Sequence, residues 1–328
     1  MHQFITEFTI KLPLASNAYS LLHLMTSQAF ALCVWRAGAV ARISNNSLRR
    51  STNEYTIAIC GLCALADDVL LAACGWNGLR ALRLSSAQLC ARDPFALNDE
   101  YVCSAALDAA SGTLLLAFEA EAAAESGARV VWLVSLECLA DEWREVQRLQ
   151  TEITEILFSY QWVGLSFAGD SRVLCGQSRE DRLYAFDLNA ERRLRHVGAV
   201  VLDDQLCRFA CTRLGGDSLV AIADARNTCV SVQRLVGAGD ALRLEPLART
   251  ALAGAENVLF RGDQLLVATT SESVVSFGVS GGSLRGPREL LGAGADVQMY
   301  CWCLAGDRLV VAERNWWDLV VYEWAAPE

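Results

Sequence analysis

The chain has 328 residues, of which 53% are hydrophobic, and its 28 basic and 38 acidic side chains leave a formal net charge of -10. A chain of this length can bury a large core without the help of disulfides or metals. Its negative charge repels nucleic-acid phosphates, and the densest basic cluster, Arg192-Arg193-Leu194-Arg195, is short. We therefore expect no nucleic-acid partner.

For the N-terminal segment we expect neither a secretion signal nor a membrane span. Residues 1–14 alternate polar and apolar side chains without a basic start, and the apolar stretch from Leu21 to Val40 contains charged and polar residues, which predicts two strands joined by a turn. The 13 cysteines are odd in number and lie inside apolar runs, as core residues do. These features predict a protein of the reducing cytoplasm or nucleus, with no membrane partner.

One pattern recurs seven times along the chain. A short apolar run breaks at a turn and resumes as a second apolar run. The turns are marked by Ser27, Asp67, Ser111, Asp170, Asp217, Asp263 and Asp307, at spacings of 40, 44, 59, 47, 46 and 44 residues, about 47 on average. Such a period, with several short strands in each copy, is typical of a β-propeller in which each repeat is one four-stranded blade. The sequence thus predicts an all-β, seven-bladed β-propeller of four-stranded antiparallel blades, in a single domain over residues 1–328.

The predicted blades follow one another along the chain, with hairpins near 21–46, 59–86, 101–139, 162–192, 206–243, 256–285 and 297–324. The alternating segment 4–12 has no hairpin partner of its own. Because the residues after Asp307 and those up to Ser27 together make about one period, we predict that segment 4–12 closes the ring as the outer strand of the last blade. The long interval from Ser111 to Asp170 predicts a loop insertion at 120–127 and a short helical piece between Glu137 and Ile156.

The hairpins resemble those of the WD40-like β-propellers. Blades of that family read as a first strand bearing Cys or Phe, a Gly-Asp turn and a second strand of the Leu-Leu-Ala type, and the segment Val258-Leu-Phe-Arg-Gly-Asp-Gln-Leu-Leu-Val-Ala268 resembles this order. The third strand Arg182-Leu-Tyr-Ala-Phe-Asp-Leu188 comes closest to the Trp-Asp ending of that family. The resemblance covers nearly the whole chain and implies a ring of blades that presents loops to partners.

Few residues suit catalysis. The three histidines are His2, His23 and His196, and the last two fall in predicted strands, where a structural role is the simpler interpretation. No nucleophile elbow, phosphate-binding glycine loop or zinc-protease helix occurs. Cys60 and Cys63 have zinc-like spacing, but no second pair completes a set of four ligands. The sequence therefore predicts no catalytic residue, no cofactor and no metal.

Aromatic and arginine side chains gather in the loops between second and third strands and in neighbouring loops of the same rim, opposite the Gly-Asp turns. These residue types are enriched at protein-binding hot spots, although a Trp can also cap the core between two blades. The predicted function is therefore a non-catalytic scaffold or recognition module for a protein or peptide. Its predicted binding residues are Trp35, Arg36, Trp76, Asn77, Tyr101, Tyr160, Trp162, Arg179, Arg182, Arg226, Tyr300, Arg314, Trp316 and Trp317.

An enzyme is the alternative hypothesis. Acidic residues that precede predicted first strands could line a pocket at the channel mouth, as in lactonase-like propellers that hydrolyse or isomerise a small molecule. Asp and Asn also populate turns for local backbone reasons, which accounts for most of these positions. The acidic residues concerned are Asp99, Glu100, Asp203, Asp204, Glu256 and Asp296.

Overall fold

The fold is seen in a computed structural model, which describes only part of the chain. The described residues are 9–11, 21–24, 41–44, 59–76, 78–85, 88–89, 100–108, 111–121, 129–139, 142–154, 162–169, 171–178, 180–202, 206, 208–224, 228–271, 273–280, 282–291, 299–313 and 318–323.

Five contiguous stretches of chain each form a four-stranded antiparallel sheet, numbered here as blades 1 to 5. Blade 1 contains β4 (Gly61–Ala66), β5 (Val69–Ala73), β6 (Leu79–Arg83) and β7 (Gln88–Leu89). Blade 2 contains β8 (Tyr101–Asp108), β9 (Thr113–Glu121), β10 (Arg129–Leu139) and β11 (Glu142–Thr154). Blade 3 contains β12 (Val163–Phe167), β13 (Arg172–Gln177), β14 (Arg182–Leu188) and β15 (Leu194–Val201).

Blade 4 contains β16 (Arg208–Leu214), β17 (Asp217–Asp224), β18 (Cys229–Val236) and β19 (Arg243–Ala251), with a 3-10 turn at Gly239–Ala241 before its last strand. Blade 5 contains β20 (Ala255–Arg261), β21 (Gln264–Thr269), β22 (Val274–Ser280) and β23 (Ser283–Leu291). In each of these five blades the strands lie in chain order from the channel outward, because each connection is a hairpin between neighbours.

Blade 6 is built from both ends of the described chain. Its first three strands are β24 (Met299–Ala305), β25 (Arg308–Glu313) and β26 (Asp318–Glu323), and its fourth is β3 (Ala41–Ser44). β26 and β3 pair antiparallel, with Leu319 opposite Ile43. β2 (Leu21–Leu24) and β1 (Thr9–Lys11) extend the same sheet beyond β3.

The prediction of seven blades is wrong, because the ring has six. The innermost strands β4, β8, β12, β16, β20 and β24 lie side by side around the axis, and β24 lies next to β4, which leaves no place for a seventh blade. The predicted hairpin at 21–46 instead supplies edge strands to blade 6. The predicted closing strand 4–12 is also wrong. Ala41–Ser44 occupies that position, and among the described strands Thr9–Lys11 pairs with β2 alone.

The extra length between Ser111 and Asp170 lies in long strands. β10 has 11 residues and β11 has 13, and they pair with each other. The predicted helical piece between Glu137 and Ile156 is therefore wrong, since the described residues of that range belong to β10 and β11. The predicted insertion lies mostly outside the described residues. The predicted third strand Arg182–Leu188 is confirmed as β14.

Six apolar clusters hold the blades together, one at each junction of neighbouring blades among the described residues. Large buried side chains form them, such as Phe118 between blades 1 and 2 and Phe186 between blades 2 and 3. The cluster between blades 6 and 1 includes Cys301 and Cys303 on one side and Leu70 on the other. The predicted role of these cysteines as small core residues is confirmed, and the closed set of clusters supports the count of six blades independently of strand pairing.

The ring has two rims. At the turn rim, each first strand is connected to its second strand by a tight turn. This rim carries the predicted turn residues Asp67, Ser111, Asp263 and Asp307. The mouth rim is the opposite one, where first strands begin and where second strands connect to third strands. Because antiparallel strands alternate in direction, the loop after β5 and the first residues of β8, β12 and β16 all meet at the mouth rim.

Candidate functional site

One fixed loop raises a tryptophan above the mouth rim. After β5 the chain turns at Gly75, whose φ of +57° is a left-handed conformation that favours glycine. Gly75 and Val102 exchange two backbone hydrogen bonds of 3.1 Å, which anchor the loop of blade 1 to blade 2. A Cβ at position 75 would lie 2.7 Å from the Tyr101 ring. Glycine therefore permits both the turn and the contact with Tyr101.

Trp76 follows this glycine and is 50% exposed, yet its orientation is supported on two sides. Its ring meets the Tyr101 ring edge-on, with centroids 5.5 Å apart, and the Arg129 guanidinium lies 5.3 Å from the Trp76 ring centroid. Arg129 Nε donates a 3.0 Å hydrogen bond to Glu119, a carboxylate that is fully buried. The exposed indole thus rests on an arginine that is itself held by a buried charge.

A second group lies between blades 3 and 4. Trp162 comes just before β12, and its ring folds back over Gly164, where any Cβ would overlap the indole. The Arg208 guanidinium lies 4.1 Å from the Trp162 ring centroid, and Phe209 meets the same ring edge-on at 5.8 Å. Arg208 is the first residue of β16 and only 7% exposed. The absence of a side chain at Gly164 leaves room for the Trp162 ring. That ring in turn contacts the buried guanidinium of Arg208.

Arg208 and Trp162 line a cavity of about 310 Å³ in the central channel. All six innermost strands contribute to its wall, which is mostly apolar and includes the thiols of Cys63, Cys211, Cys301 and Cys303. Its polar side chains are those of Ser104, Ser166, Asn257 and Arg208. Among these described lining residues, Arg208 is the one charged group.

The positive charge of Arg208 acts on the pKa of thiols that belong to other blades. Burial raises the pKa of Cys60 to about 11, while a 3.2 Å hydrogen bond with the Tyr101 hydroxyl and the charge of Arg208 act to lower it. Burial likewise raises the pKa of Cys301 to about 12 against the charge of Arg208. These thiols are neutral near pH 7, and the guanidinium is electrostatically coupled to blades 1 and 6.

Among the described residues, the predicted binding residues Trp76, Tyr101 and Trp162 contribute aromatic rings to the mouth rim. Trp76 and Tyr101 are in contact, whereas Trp162 belongs to the Arg208 group. Arg182 begins β14 on the same rim, is exposed, and lies 3.8 Å from the carboxylate of Asp181. Tyr300 lies in β24. The other predicted binding residues fall outside the described residues and stay predictions: Trp35, Arg36, Asn77, Tyr160, Arg179, Arg226, Arg314, Trp316 and Trp317.

Three residues of the site were missed by sequence reasoning, namely Arg129, Gly164 and Arg208. Each lies inside or at the start of a strand, whereas the predicted binding residues were assigned to loops. A signal was present for Arg208, because a charged residue opens the first strand of blade 4. An arginine there must enter the crowded channel.

The acidic pocket of the enzyme hypothesis is not formed by the described residues. The described wall of the cavity contains no Asp or Glu. Glu100 lies just before β8 and pairs instead with Arg148 of blade 2, and Glu256 is half-buried in β20. The remaining acidic candidates, Asp99, Asp203, Asp204 and Asp296, lie outside the described residues.

Fold and site together define a six-bladed all-β propeller with an aromatic and cationic channel mouth. No family model matches the chain, and no curated protein matches it. The fold is similar to that of a glucose dehydrogenase, with a TM-score of 0.57 and 12% identity, covering 83% of this chain and 100% of that chain. The soluble aldose sugar dehydrogenase from Escherichia coli has a TM-score of 0.57 and 10% identity, covering 81% and 96% of the two chains.

A protein from Lactobacillus plantarum is similar at a TM-score of 0.54 and 12% identity, covering 85% of each chain. At such low identity these likenesses show the propeller fold alone. The WD40-like resemblance is thus supported as far as the propeller. No helix in the described part of the chain has both the length and the apolar character needed to cross a membrane.

Proposed function

We propose that this chain is a recognition module of the WD40-like propeller kind, which binds a protein or peptide through its mouth rim. The observation that carries the proposal is Trp76, a half-exposed indole whose orientation Tyr101 and Arg129 set in advance. A preordered aromatic side chain loses little conformational entropy on binding, so most of its burial contributes to affinity. The module would act in the cytoplasm or nucleus.

Rigidity of the surrounding rim supports the same proposal. The loop that bears Trp76 is bonded through its backbone to blade 2, and Arg129 is bonded to the buried Glu119. A partner would therefore meet a surface that is already shaped, with an aromatic centre and an arginine beside it. Trp, Tyr and Arg are the residue types that dominate the centres of protein interfaces.

Affinity capture with matched variants tests the proposal. The wild-type chain, Trp76→Ala and Val201→Ala are immobilised in equal amounts and exposed to the same cell extract, and bound proteins are quantified by mass spectrometry. Val201 is a suitable control, because it is 67% exposed but lies on the outer strand of blade 3. Loss of a hot-spot Trp costs about 2 kcal/mol or more, which is roughly a 30-fold loss of affinity.

We expect a partner that the wild-type chain and Val201→Ala retain equally and that Trp76→Ala loses. Trp76→Phe, which keeps an aromatic ring at the same place, should retain part of the binding. If Trp76→Ala remains folded and captures the same proteins in the same amounts as the wild-type chain, the mouth rim around Trp76 is not the binding surface.

A further inference from the structure

We infer that the central channel contains a binding site for a small neutral molecule with an apolar body and one hydrogen-bonding group, which bonds to the Ser104 hydroxyl. This inference goes beyond the proposed function, since Ser104 lies in the channel and Trp76 lies on the rim. It starts from the cavity of about 310 Å³, which is at the lower end of the roughly 300–1,000 Å³ typical of small-ligand sites.

Three of the innermost strands have a β-bulge beside this cavity. Near their mouth-rim ends, β8, β20 and β24 each contain one extra residue, at which the register against the second strand shifts. The residues at which pairing resumes are Ser104, Asn257 and Cys301, and all three line the cavity. Bulges change the direction of side chains and are over-represented next to functional sites. The same irregularity in three blades therefore points to this level of the channel as a binding site.

Ser104 differs from the other polar side chains of the described wall in its hydrogen bonding. It is 6% exposed, and its hydroxyl makes no hydrogen bond within the part of the chain that the structure describes. By contrast, Ser166 Oγ accepts a 3.0 Å hydrogen bond from the Cys211 backbone N–H. Asn257 Oδ1 accepts one of 3.0 Å from the Val258 backbone N–H. A buried hydroxyl without a partner is destabilising, and a ligand group that bonds to Ser104 removes that penalty.

The position of Ser104 is fixed before any ligand arrives. Ser104 pairs with Ala117 of β9 in the same blade. On its other side Gly61 of blade 1 approaches so closely that an added Cβ would lie 3.1 Å from Ser104 Cα. Because β9 and β4 hold β8 at this residue, a ligand does not have to order the backbone that carries the hydroxyl, and little conformational entropy is lost on binding.

The charges of the wall favour a neutral ligand. The described lining contains no Asp or Glu, and its one charged side chain, Arg208, contacts the Trp162 ring and has a further interaction. A cation in the cavity would therefore meet a like charge, and an anion would meet a guanidinium that is already engaged. Moving a charged group out of water without a free partner is strongly unfavourable.

The rest of the wall suits an apolar body. It includes the aromatic rings of Phe209 and Trp302 and the thiols of Cys63 and Cys303. Burial raises the pKa of Cys63 to about 12, so this thiol is neutral near pH 7 and behaves as a small apolar group. The inferred ligand is thus an apolar molecule with a single hydroxyl or carbonyl group that bonds to Ser104.

Titration of the full-length chain with matched probes tests the inference. Benzyl alcohol has the inferred chemistry, toluene lacks the hydroxyl, and benzoate and benzylammonium are charged counterparts of similar size. Each probe is added at millimolar concentration and constant ionic strength, and ligand-observed NMR gives the dissociation constants. The variants are Ser104→Ala and Ser135→Ala. Ser135 is a suitable control, because it is a fully buried serine of the same blade whose Oγ also has no hydrogen-bond partner within the described structure, and it lies outside the cavity.

We expect benzyl alcohol to bind the wild-type chain about tenfold more tightly than either charged probe, because neither charge finds a free partner in the wall. Ser104→Ala should weaken the binding of benzyl alcohol about fivefold, the factor that corresponds to one net hydrogen bond, without weakening that of toluene. Ser135→Ala should bind all four probes as the wild-type chain does. Absence of benzyl alcohol binding, or tighter binding of a charged probe, overturns the inference.

The comparison of neutral and charged probes on the wild-type chain remains decisive even if Ser104→Ala does not fold, because it needs no variant. A folded Ser104→Ala chain that binds benzyl alcohol as tightly as the wild-type chain would also overturn the inference. Failure here would leave the proposed function untouched, since that proposal is tested with Trp76→Ala and by a different measurement.

Discussion

The two rims of the ring differ in how they use charge. On the turn rim, arginines bridge neighbouring blades at the surface: Arg308 of blade 6 lies 3.5 Å from Asp68 of blade 1, and Arg261 of blade 5 lies 3.4 Å from Asp307 of blade 6. On the mouth rim, Arg208 and Arg129 lie against indole rings. Surface ion pairs contribute little stability, whereas an arginine held against an aromatic ring fixes the orientation of that ring. The turn rim is therefore structural, and the mouth rim is where binding is expected.

Cysteine labelling gives the largest expected difference between the rims. Cys138, near the turn-rim end of β10, is exposed, whereas Cys60 lies buried at the mouth rim. Burial raises the pKa of Cys60 from 9.0 to about 11, which alone reduces its thiolate fraction about 100-fold at pH 8. We expect iodoacetamide to modify Cys138 at least 100-fold faster than Cys60, as measured by mass spectrometry of the separate peptides.

The labelling of Cys60 should accelerate about tenfold for each unit of pH until the pH approaches 11. Cys175, whose pKa burial raises to about 12, provides the control, because it should remain slower than Cys60 throughout. Equal labelling of Cys60 and Cys138 at pH 8 would show that the mouth rim is more open than the structure indicates.

A pair of glycine substitutions gives the next largest effect. Neither Gly164 at the mouth rim nor Gly278 near the turn rim has a positive φ, so alanine strains neither backbone. At Gly278 the nearest atom to an added Cβ is 3.8 Å away, whereas at Gly164 the added Cβ overlaps the Trp162 ring. We expect Gly164→Ala to lower the free energy of unfolding by about 1–3 kcal/mol, because the indole must move to make room for the methyl group.

Gly278→Ala should leave the free energy of unfolding nearly unchanged. Urea denaturation of the two variants and the wild-type chain measures the difference. If Gly164→Ala is as stable as the wild-type chain, then the Trp162 ring is not fixed against Gly164, and the contrast between the rims loses its main support.

The smallest effect is expected at the ion pairs of the turn rim. Hydrogen bonds from Ser85, and then the Arg308 guanidinium, hold the pKa of the Asp68 carboxyl below its usual 3.8. Both Asp68 and Arg308 are about one-third exposed, so solvent screens the pair and Asp68→Asn should cost less than about 1 kcal/mol at neutral pH.

Because the pKa of Asp68 is lowered, its contribution is present above pH 4 and disappears as the pH falls through the native pKa. The stabilities of Asp68→Asn and the wild-type chain should therefore converge in acid, as measured by urea denaturation at pH 7 and at the lowest pH at which both fold. Asp263→Asn, at the turn of blade 5, serves as the control. A loss of several kcal/mol at pH 7 would show that the turn rim carries more of the stability than its exposure suggests.

Much of the fold was predictable because it depends on local signals. The turns at Asp67, Ser111, Asp263 and Asp307 lie where the predicted repeat has them, since Gly and Asp favour tight turns between apolar strands. Part of the site was predictable for the same reason. Trp76 follows a turn glycine, and its exposure there agrees with its assignment to a loop.

The remainder of the site depends on contacts between blades. Arg208 and Trp162 are 46 positions apart in the chain, and only the packing of blade 3 against blade 4 brings the guanidinium onto the ring. Arg129 likewise reaches Trp76 only because blade 2 lies beside blade 1. No local pattern reports such a contact.

By itself the sequence determined the all-β class, the four-stranded repeat and the opposition of a turn rim to a loop-bearing rim, because each of these follows from strand alternation and turn chemistry within about 50 residues. Tertiary structure alone decided the number of blades. A short alternating segment such as Thr9–Lys11 or Ala41–Ser44 can start a new blade or extend an existing sheet with the same local energy. The packing of β24 against β4 closes the ring at six and makes these segments edge strands.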